Sequence, residues 1–469
     1  MKIKDRTSGL SCPALFLFII ISFPFLFAGG NLLAETGNLV QANTPRSAAA
    51  ESLALPKIER KTLLNGMQVI FFNQTSDTIP FKLMIKNGAA FDPSNKWGAT
   101  YMLSRLMMDL LNDPLIKSEN EAKKVKINCA VSWDAIIFSG EAPSKEIGYA
   151  LDLMADLVIR PEFREESFNR IKQEHIREVN LTESLLENRV NLLLKEKVFS
   201  RNPYGRPEIG TSSSIPGLQL NDLIVQYRRL ILPNQAVLAI AFSEEREGLF
   251  NYLSRRWGSW IRKNPAPFVF RRSHRYTEPE IAIVEADRRQ GIVSWGLLGF
   301  EKSSRESISM EVLEQYLTLT LPTWASEISS ASQIRGSIES TSMRMPGYLR
   351  ISLEIPVQHL SSYYTKLFST LDSMSRGDID QSQFEDAKQI VLAEFRSSLE
   401  QTEGQMSKVL ETDLYELGIN FIPTFGLRLS RVSESKFQEM IKSLVPDKSH
   451  IMIAAGPRQE IEEQIAKNR

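Results

Sequence analysis

Few side chains in this 469-residue chain combine the types and spacing that catalysis or metal binding requires. His175 and Glu178 stand three apart in the helical run FNRIKQEHIREVN (Phe168 to Asn180), which puts both on one helix face at a spacing found in metal-binding helices. Two groups are too few for a structural zinc site. His274, His359 and His450 are each isolated, no two histidines have ligand spacing, and His175 is expected to be a surface residue. Cys129 lies in a strand-like segment and reads as a small buried hydrophobe rather than a nucleophile. There is no glycine-rich phosphate loop and no G-x-S-x-G turn, and the Ser-rich SEISSAS (Ser326 to Ser332) reads as a helix start or loop. From Gly98 the run GATYMLSRLMMD carries Met102, Leu103, Leu106 and Met107 at helical spacing, continued by Leu110 and Leu111. That stripe is expected to be buried, leaving Tyr101, Ser104 and Arg105 together on the other face.

The elements that must position these groups follow from periodicity. Leu63 and Val69 to Phe71, then Phe81 and Leu83 to Ile85, lie in strand-like runs separated by the turn-prone NQTSDTIP. Lys126 to Val131 and Ala135 to Gly140 read as a hairpin, Lys145 to Val158 as a helix ended by Arg160-Pro161, and Glu165 to Val198 as a long helical region. RKNPAPFVFRRSHRYTEPE (Arg262 to Glu280), with three prolines and little periodicity, reads as a link. Beyond it the pattern returns at an offset of about 210 residues, which points to a duplicated unit. IAIVEA and GIVSWGLLGF are strand-like, SMRMPGYLRISLEIP reads as a hairpin, and Ser307 to Leu321, Ser361 to Met374 and Gln383 to Leu417 are helical. The fold class is α+β, with two homologous halves, each a mainly antiparallel sheet with helices on one face.

Composition sets broad limits. Apolar residues at 42% and charged residues at 24% are ordinary for a folded soluble protein. Lys2, Lys4 and Arg6 precede an apolar run from Pro13 to Ala28, the layout of a secretory signal ending near residue 30, with an uncleaved anchor as the alternative. Without residues 1–30 the chain holds 53 basic and 55 acidic groups, so charge gives no case for nucleic acid. Cys129 is then the one remaining cysteine, and no intramolecular disulfide can form. The expected organisation is signal peptide 1–30, tether 31–55, first domain 56–262, linker 263–280 and second domain 281–469, in a secreted or bacterial periplasmic protein with no membrane contact beyond the signal.

In their order and spacing, several segments carry a family resemblance: LLNGMQVIFF (Leu63 to Phe72), FKLMIKNGAAFDP (Phe81 to Pro93), INCAVSWDAIIFSGEAP (Ile127 to Pro143), RNPYGRPEIGTSSSIPGL (Arg201 to Leu218) and YRRLILPNQAVLAIAF (Tyr227 to Phe242). Together they resemble the insulinase-like (pitrilysin, processing-peptidase) metallopeptidase family. The resemblance implies about six strands per half and a zinc helix reading G-x-A-H-x-x-E-H, in which two histidines bind the metal and the glutamate is the base. Here Tyr101 and Arg105 replace the histidines and Ser104 replaces the base. A guanidinium has no lone pair to donate and repels a cation. Counting back from Tyr204-Gly205-Arg206 places Glu178 at the family's second-helix ligand. An Arg105–Glu178 ion pair in the former metal site is therefore expected; the alternative is that Arg105 pairs with Asp109 or points to solvent.

Active relatives also use an Arg and a Tyr seven residues apart in the second half. In SASQIRGSIESTSMRM (Ser330 to Met345) Arg335 is a remnant of the first, but position 342 is Ser and no tyrosine occurs before Tyr348. The family's glycine pair before this segment, which it places on a helix, is replaced by LTLTLPTW (Leu317 to Trp324). The strand Asn128, Cys129, Ala130, Val131 and Ser132 corresponds to the one that pairs with substrate backbone, or else is an ordinary core strand. The resemblance thus implies a non-catalytic homologue with no metal or other cofactor, forming a heterodimer with a zinc-bearing relative and binding unfolded peptide. Two alternatives remain: a stand-alone peptide-binding or assembly subunit, and a peptidase with non-standard ligands.

Overall fold

The computed structural model describes residues 56–74, 76–242, 246–265, 271, 273, 276, 278–288, 290–328, 335–445 and 449–467. The expected signal and tether lie outside these residues, as do half of the 263–280 link and His274. In chain order the first half contains β1 (Ile58–Thr62), β2 (Gln68–Phe72), β3 (Thr78–Ile85), α1 (Ala99–Met108), α2 (Pro114–Lys123), β4 (Lys126–Val131), β5 (Ile136–Pro143), α3 (Ile147–Ile159), α4 (Glu165–Ser184), α5 (Leu186–Phe199), α6 (Leu220–Leu230), β6 (Ala236–Ala241) and α7 (Arg246–Trp257). The second half contains β7 (Glu280–Glu285), β8 (Gln290–Leu298), α8 (Glu306–Ile328), β9 (Arg335–Thr341), β10 (Tyr348–Pro356), α9 (Leu360–Arg376), α10 (Gln381–Ser397), α11 (Thr402–Leu414), α12 (Phe425–Ser430), α13 (Glu434–Leu444), β11 (Ile451–Gly456) and α14 (Arg458–Ala466).

The first sheet has the order β1-β2-β6-β3-β5-β4 and the second β7-β11-β8-β10-β9. Strand for strand, the second repeats the first, with no counterpart of β1 among the described residues, and in each one parallel pair (β2 with β6, β7 with β11) sits among antiparallel ones. This is the α+β duplication that periodicity implies, with five described strands rather than six in the second half. Every residue of β6 and β11 is buried, as expected of strands covered on both faces.

The second covering layer is exchanged between the halves. Helix α5 leaves the first half to pack on β8 and β11, and α11 leaves the second to pack on β3 and β6. Glycine makes one of these contacts possible: a Cβ on Gly296 would lie 2.5 Å from Val198 and 3.0 Å from Leu194 of α5. Polar bonds line both seams. Lys82 Nζ donates to Ser407 Oγ at 2.8 Å, Arg60 pairs with Asp413 at 2.7 Å, and Arg350 Nη1 donates to Asn191 Oδ1 at 2.8 Å.

Expected boundaries shift at four places, one of them the run Gln383 to Leu417, which is broken at 398–401 between α10 and α11. The helical run 165–198 breaks at Leu185, whose backbone is extended. LTLTLPTW does not end a helix: α8 runs through Pro322 because Trp324, 1% exposed, anchors the following turn in the core. SMRMPG is the turn of the second hairpin rather than its first strand, which is β9 just upstream, so the segment around Arg335 is a strand. Among the described residues no helix is long and apolar enough to cross a membrane.

Candidate functional site

Helix α1 is held at its N-terminus by Asp92, whose carboxylate accepts from Gly98 N at 2.7 Å, Thr100 N at 3.0 Å, Thr100 Oγ1 at 2.6 Å and Gln226 Nε2 at 3.1 Å. Burial pushes the Asp92 carboxyl up to about 7, against the pull of these donors. Gly98 has φ +86°, and a Cβ there would meet the Ile209 carbonyl at 2.7 Å, so only glycine enters this helix without strain. Met102, Leu103, Leu106 and Met107 are buried, as their spacing predicts. Helix α4 packs alongside, and Asp109 pairs with Arg170, leaving Arg105 free for other partners.

Arg105 Nη1 donates to Glu178 Oε2 at 2.6 Å, and its Nη2 lies 3.7 Å from Glu174 Oε2. Tyr101 donates its hydroxyl to Glu178 Oε1 at 3.4 Å; burial, then the neighbouring Glu178 charge, pushes this phenol up to about 12 and keeps it a neutral donor. His175 is fully buried rather than at the surface. Its Nε2 is 2.7 Å from the Ile209 carbonyl, an acceptor, so Nε2 carries a proton. Nδ1 lies 3.3 Å from Glu178 Oε2 and 3.5 Å from Arg105 Nη1, and the ring stacks on Tyr101 with centroids 4.9 Å apart. The His175 ring, and then Arg105, hold the Glu178 carboxyl below the ordinary carboxylate range against the cost of its partial burial.

Ser104 departs from expectation. It is 4% exposed, turned away from the face that Tyr101 and Arg105 share, and its Oγ donates to the Tyr101 carbonyl at 2.7 Å. The apolar stripe is wide enough to take in this small residue. Ser104 also reaches Cys129, whose thiol burial pushes up, so that sulfur is not a thiolate nucleophile.

Among the described strands β4, beside α1, pairs only with β5 and forms one edge of the first sheet. Asn128 is exposed on it, and Cys129, Ala130 and Val131 are half-buried. Ser132 belongs to the turn instead: its N–H donates to the Ala135 carbonyl at 2.9 Å and its carbonyl accepts from Ala89 N at 2.8 Å. The backbone edge open to a new strand therefore stops at Val131. Arg335 stands exposed at the start of β9, an edge of the other sheet. Arg344, in the turn after β9, does reach the first half: its Nη2 donates to the Lys86 carbonyl at 3.2 Å. Sequence reading also missed Glu174, one turn before Glu178, and the buried polar contacts of Asp134 with Tyr204.

These donors do not suit zinc. The carboxylate that would bind it accepts a guanidinium at 2.6 Å, and the nearest imidazole has committed Nε2 to a backbone carbonyl. Zinc needs three or four lone-pair donors converging at about 2.0–2.3 Å. Among the described residues no three of His, Cys, Asp and Glu gather closely enough to hold a metal ion.

Comparison with known proteins places this arrangement. The insulinase (peptidase family M16) model matches residues 68–212, and the model of the peptidase M16 inactive domain matches residues 217–391. An uncharacterized zinc protease, YmxG of Bacillus subtilis, is 20% identical over 365 residues, covering 75% of this chain and 87% of its own. Two other curated relatives are matched over only 51% and 59% of their lengths. Among solved structures, a protease from Helicobacter pylori superposes with a TM-score of 0.77 at 15% identity, over 86% of this chain and 100% of that one. The periplasmic protease PqqL of Escherichia coli superposes at 0.69 and 12% identity, over 88% of this chain but 49% of that one. Two consecutive family models over most of the folded chain, and a duplicated fold shared with such peptidases, converge on one conclusion: the chain belongs to the insulinase family of peptidases, family M16.

Proposed function

We propose that this chain is a non-catalytic member of the family that pairs with a zinc-bearing homologue, helps to enclose a chamber and holds extended peptide along β4. The observation that carries this reading is the Arg105–Glu178 ion pair, a fixed positive charge bonded to the carboxylate that a metal would need. The open backbone of residues 128–131 supports the binding role, because strand addition uses main-chain bonds and needs no catalytic side chain. Pairing is supported by size: this chain spans about half of PqqL, so two such chains supply the same number of homologous halves. The signal-like N-terminus, with the periplasmic character of that neighbour, favours secretion or the bacterial periplasm.

Metal analysis of the purified chain, with a peptide-cleavage assay at added zinc, tests the non-catalytic part. Zinc well below one per chain and no cleavage are expected; stoichiometric zinc with turnover abolished by chelators overturns it. Purification from the native host tests the partnership and is expected to recover a homologue carrying H-x-x-E-H. Recovery of the chain alone at every salt concentration rejects it and, if unfolded peptide still binds, leaves a stand-alone peptide-binding subunit.

A further inference from the structure

The NPYGRP segment and the two hairpin turns meet at one carboxylate that the cluster around Arg105 does not use. Asp134, 1% exposed, sits in the turn between β4 and β5. Its Oδ1 accepts from Tyr204 Oη at 2.5 Å, and its Oδ2 accepts from the backbone N–H of Arg344, in the turn between β9 and β10, at 3.1 Å. The Tyr204 hydroxyl in turn accepts from Met345 N at 3.3 Å, and Asn202 Nδ2 reaches Met345 Sδ at 3.2 Å. Arg344 extends the link by donating to the Lys86 carbonyl, just past β3. Burial raises the Asp134 carboxyl, while Tyr204 and then Arg344 pull it back; Tyr415, which follows α11, also stabilises its charge.

The same turn is fixed from inside the first half. Ala89 N and Ala90 N donate to the Ser132 and Trp133 carbonyls at 2.8 and 2.9 Å, and Trp133 Nε1 donates to the Arg206 carbonyl at 2.8 Å. The edge strands of both sheets, β4 and β9, thus run into turns that share one anionic group. A buried carboxylate with directed donors from three separate segments holds position far more tightly than apolar contact does, because moving any one segment leaves a buried charge or donor unpaired.

We propose that Asp134 is a positioning residue that sets the spacing between the edge strand β4 and the second half, so that peptide affinity at β4 depends on it although it touches no peptide. This rests on the reading of β4 as a peptide-binding edge. Asp134→Asn keeps the shape but turns an amide donor toward at least one of the groups that donate to the carboxylate; Tyr204→Phe removes one bond and keeps the ring. Leu371→Ala, in the core of α9, serves as a control of comparable stability loss. Amide exchange of segments 127–137 and 341–349 is measured in the free protein, and affinity with a fluorescein-labelled unstructured 20-residue peptide of alternating apolar residues. Asp134→Asn is expected to speed exchange in both segments about tenfold or more, the effect of losing a charge-assisted bond, and to weaken peptide binding well beyond the control. Tyr204→Phe is expected to act in the same direction to a smaller extent and stands in if the Asn variant does not fold. Exchange that changes in one segment only, or affinity loss no greater than in Leu371→Ala, overturns the positioning role. If the wild-type chain binds no peptide, the β4 reading fails, while the exchange comparison still decides whether Asp134 ties the two turns together.

Discussion

Arg105 and Glu178 form a short ion pair, yet their side chains are 29% and 28% exposed, so water screens much of the attraction. A double-mutant cycle of Arg105→Ala and Glu178→Ala, read by urea unfolding, is expected to give a coupling of only about 0.5–1 kcal/mol. No measurable coupling would mean that the pair does not stabilise the fold. Because the Glu178 carboxyl is depressed in the folded state, its contribution is present above its ordinary value of about 4.3 and disappears as pH falls through its lower folded value. Wild type and Glu178→Gln should therefore differ at neutral pH and converge in acid. His175→Phe leaves the Ile209 carbonyl without its donor and is expected to cost about 1–3 kcal/mol in the same assay. If Arg105 is what excludes metal, the triple change Tyr101→His, Ser104→Glu and Arg105→His should bind about one zinc per chain by equilibrium dialysis, since Glu178 is already in place. Failure to bind would show that the surrounding geometry, beyond three side chains, has drifted.

At the scale of elements, glycine positions carry the sharpest expectations. Gly98→Ala must place a Cβ at positive φ against the Ile209 carbonyl, and a loss of about 1–2 kcal/mol is expected by chemical denaturation. Gly296→Val drives a branched side chain into Val198 and Leu194, and about 1–3 kcal/mol of overpacking strain follows. Neither need was legible in advance, since one depends on where the loop at 209–210 returns and the other on a helix from the far half. The elements themselves were largely legible. Apolar spacing in Met102 to Met107 located α1, and the alternation in Lys126 to Val131 located β4. His175 was misplaced although a signal existed: it continues the helical stripe Phe168, Ile171 and Val179, the face that α4 buries.

The whole molecule is interlocked by the exchange of α5 and α11. Each sheet owes one of its faces to the other half, so a first half cut at residue 262 would expose the apolar surface of β3 and β6 that α11 covers. The isolated 56–262 fragment is expected to lack a cooperative thermal transition, whereas the full chain should unfold in one step by circular dichroism and calorimetry. Two separate transitions in the full chain, or a stable fragment, would contradict the interlocking. On the proposed reading of β4, the same exchange argues that peptide would reach that strand from outside the chain rather than by the halves swinging apart.

By itself the sequence determined the α+β class, the duplication and the family, because these rest on local periodicity and ordered motifs. Tertiary structure alone decided that Arg105 turns to Glu178 instead of Asp109, that the His175 ring meets both of them and the Ile209 carbonyl, that β4 lies at an edge, and that each half lends the other a helix. Those outcomes depend on segments between about 30 and more than 300 residues apart meeting in space, and no pattern within one segment encodes which surface it will find.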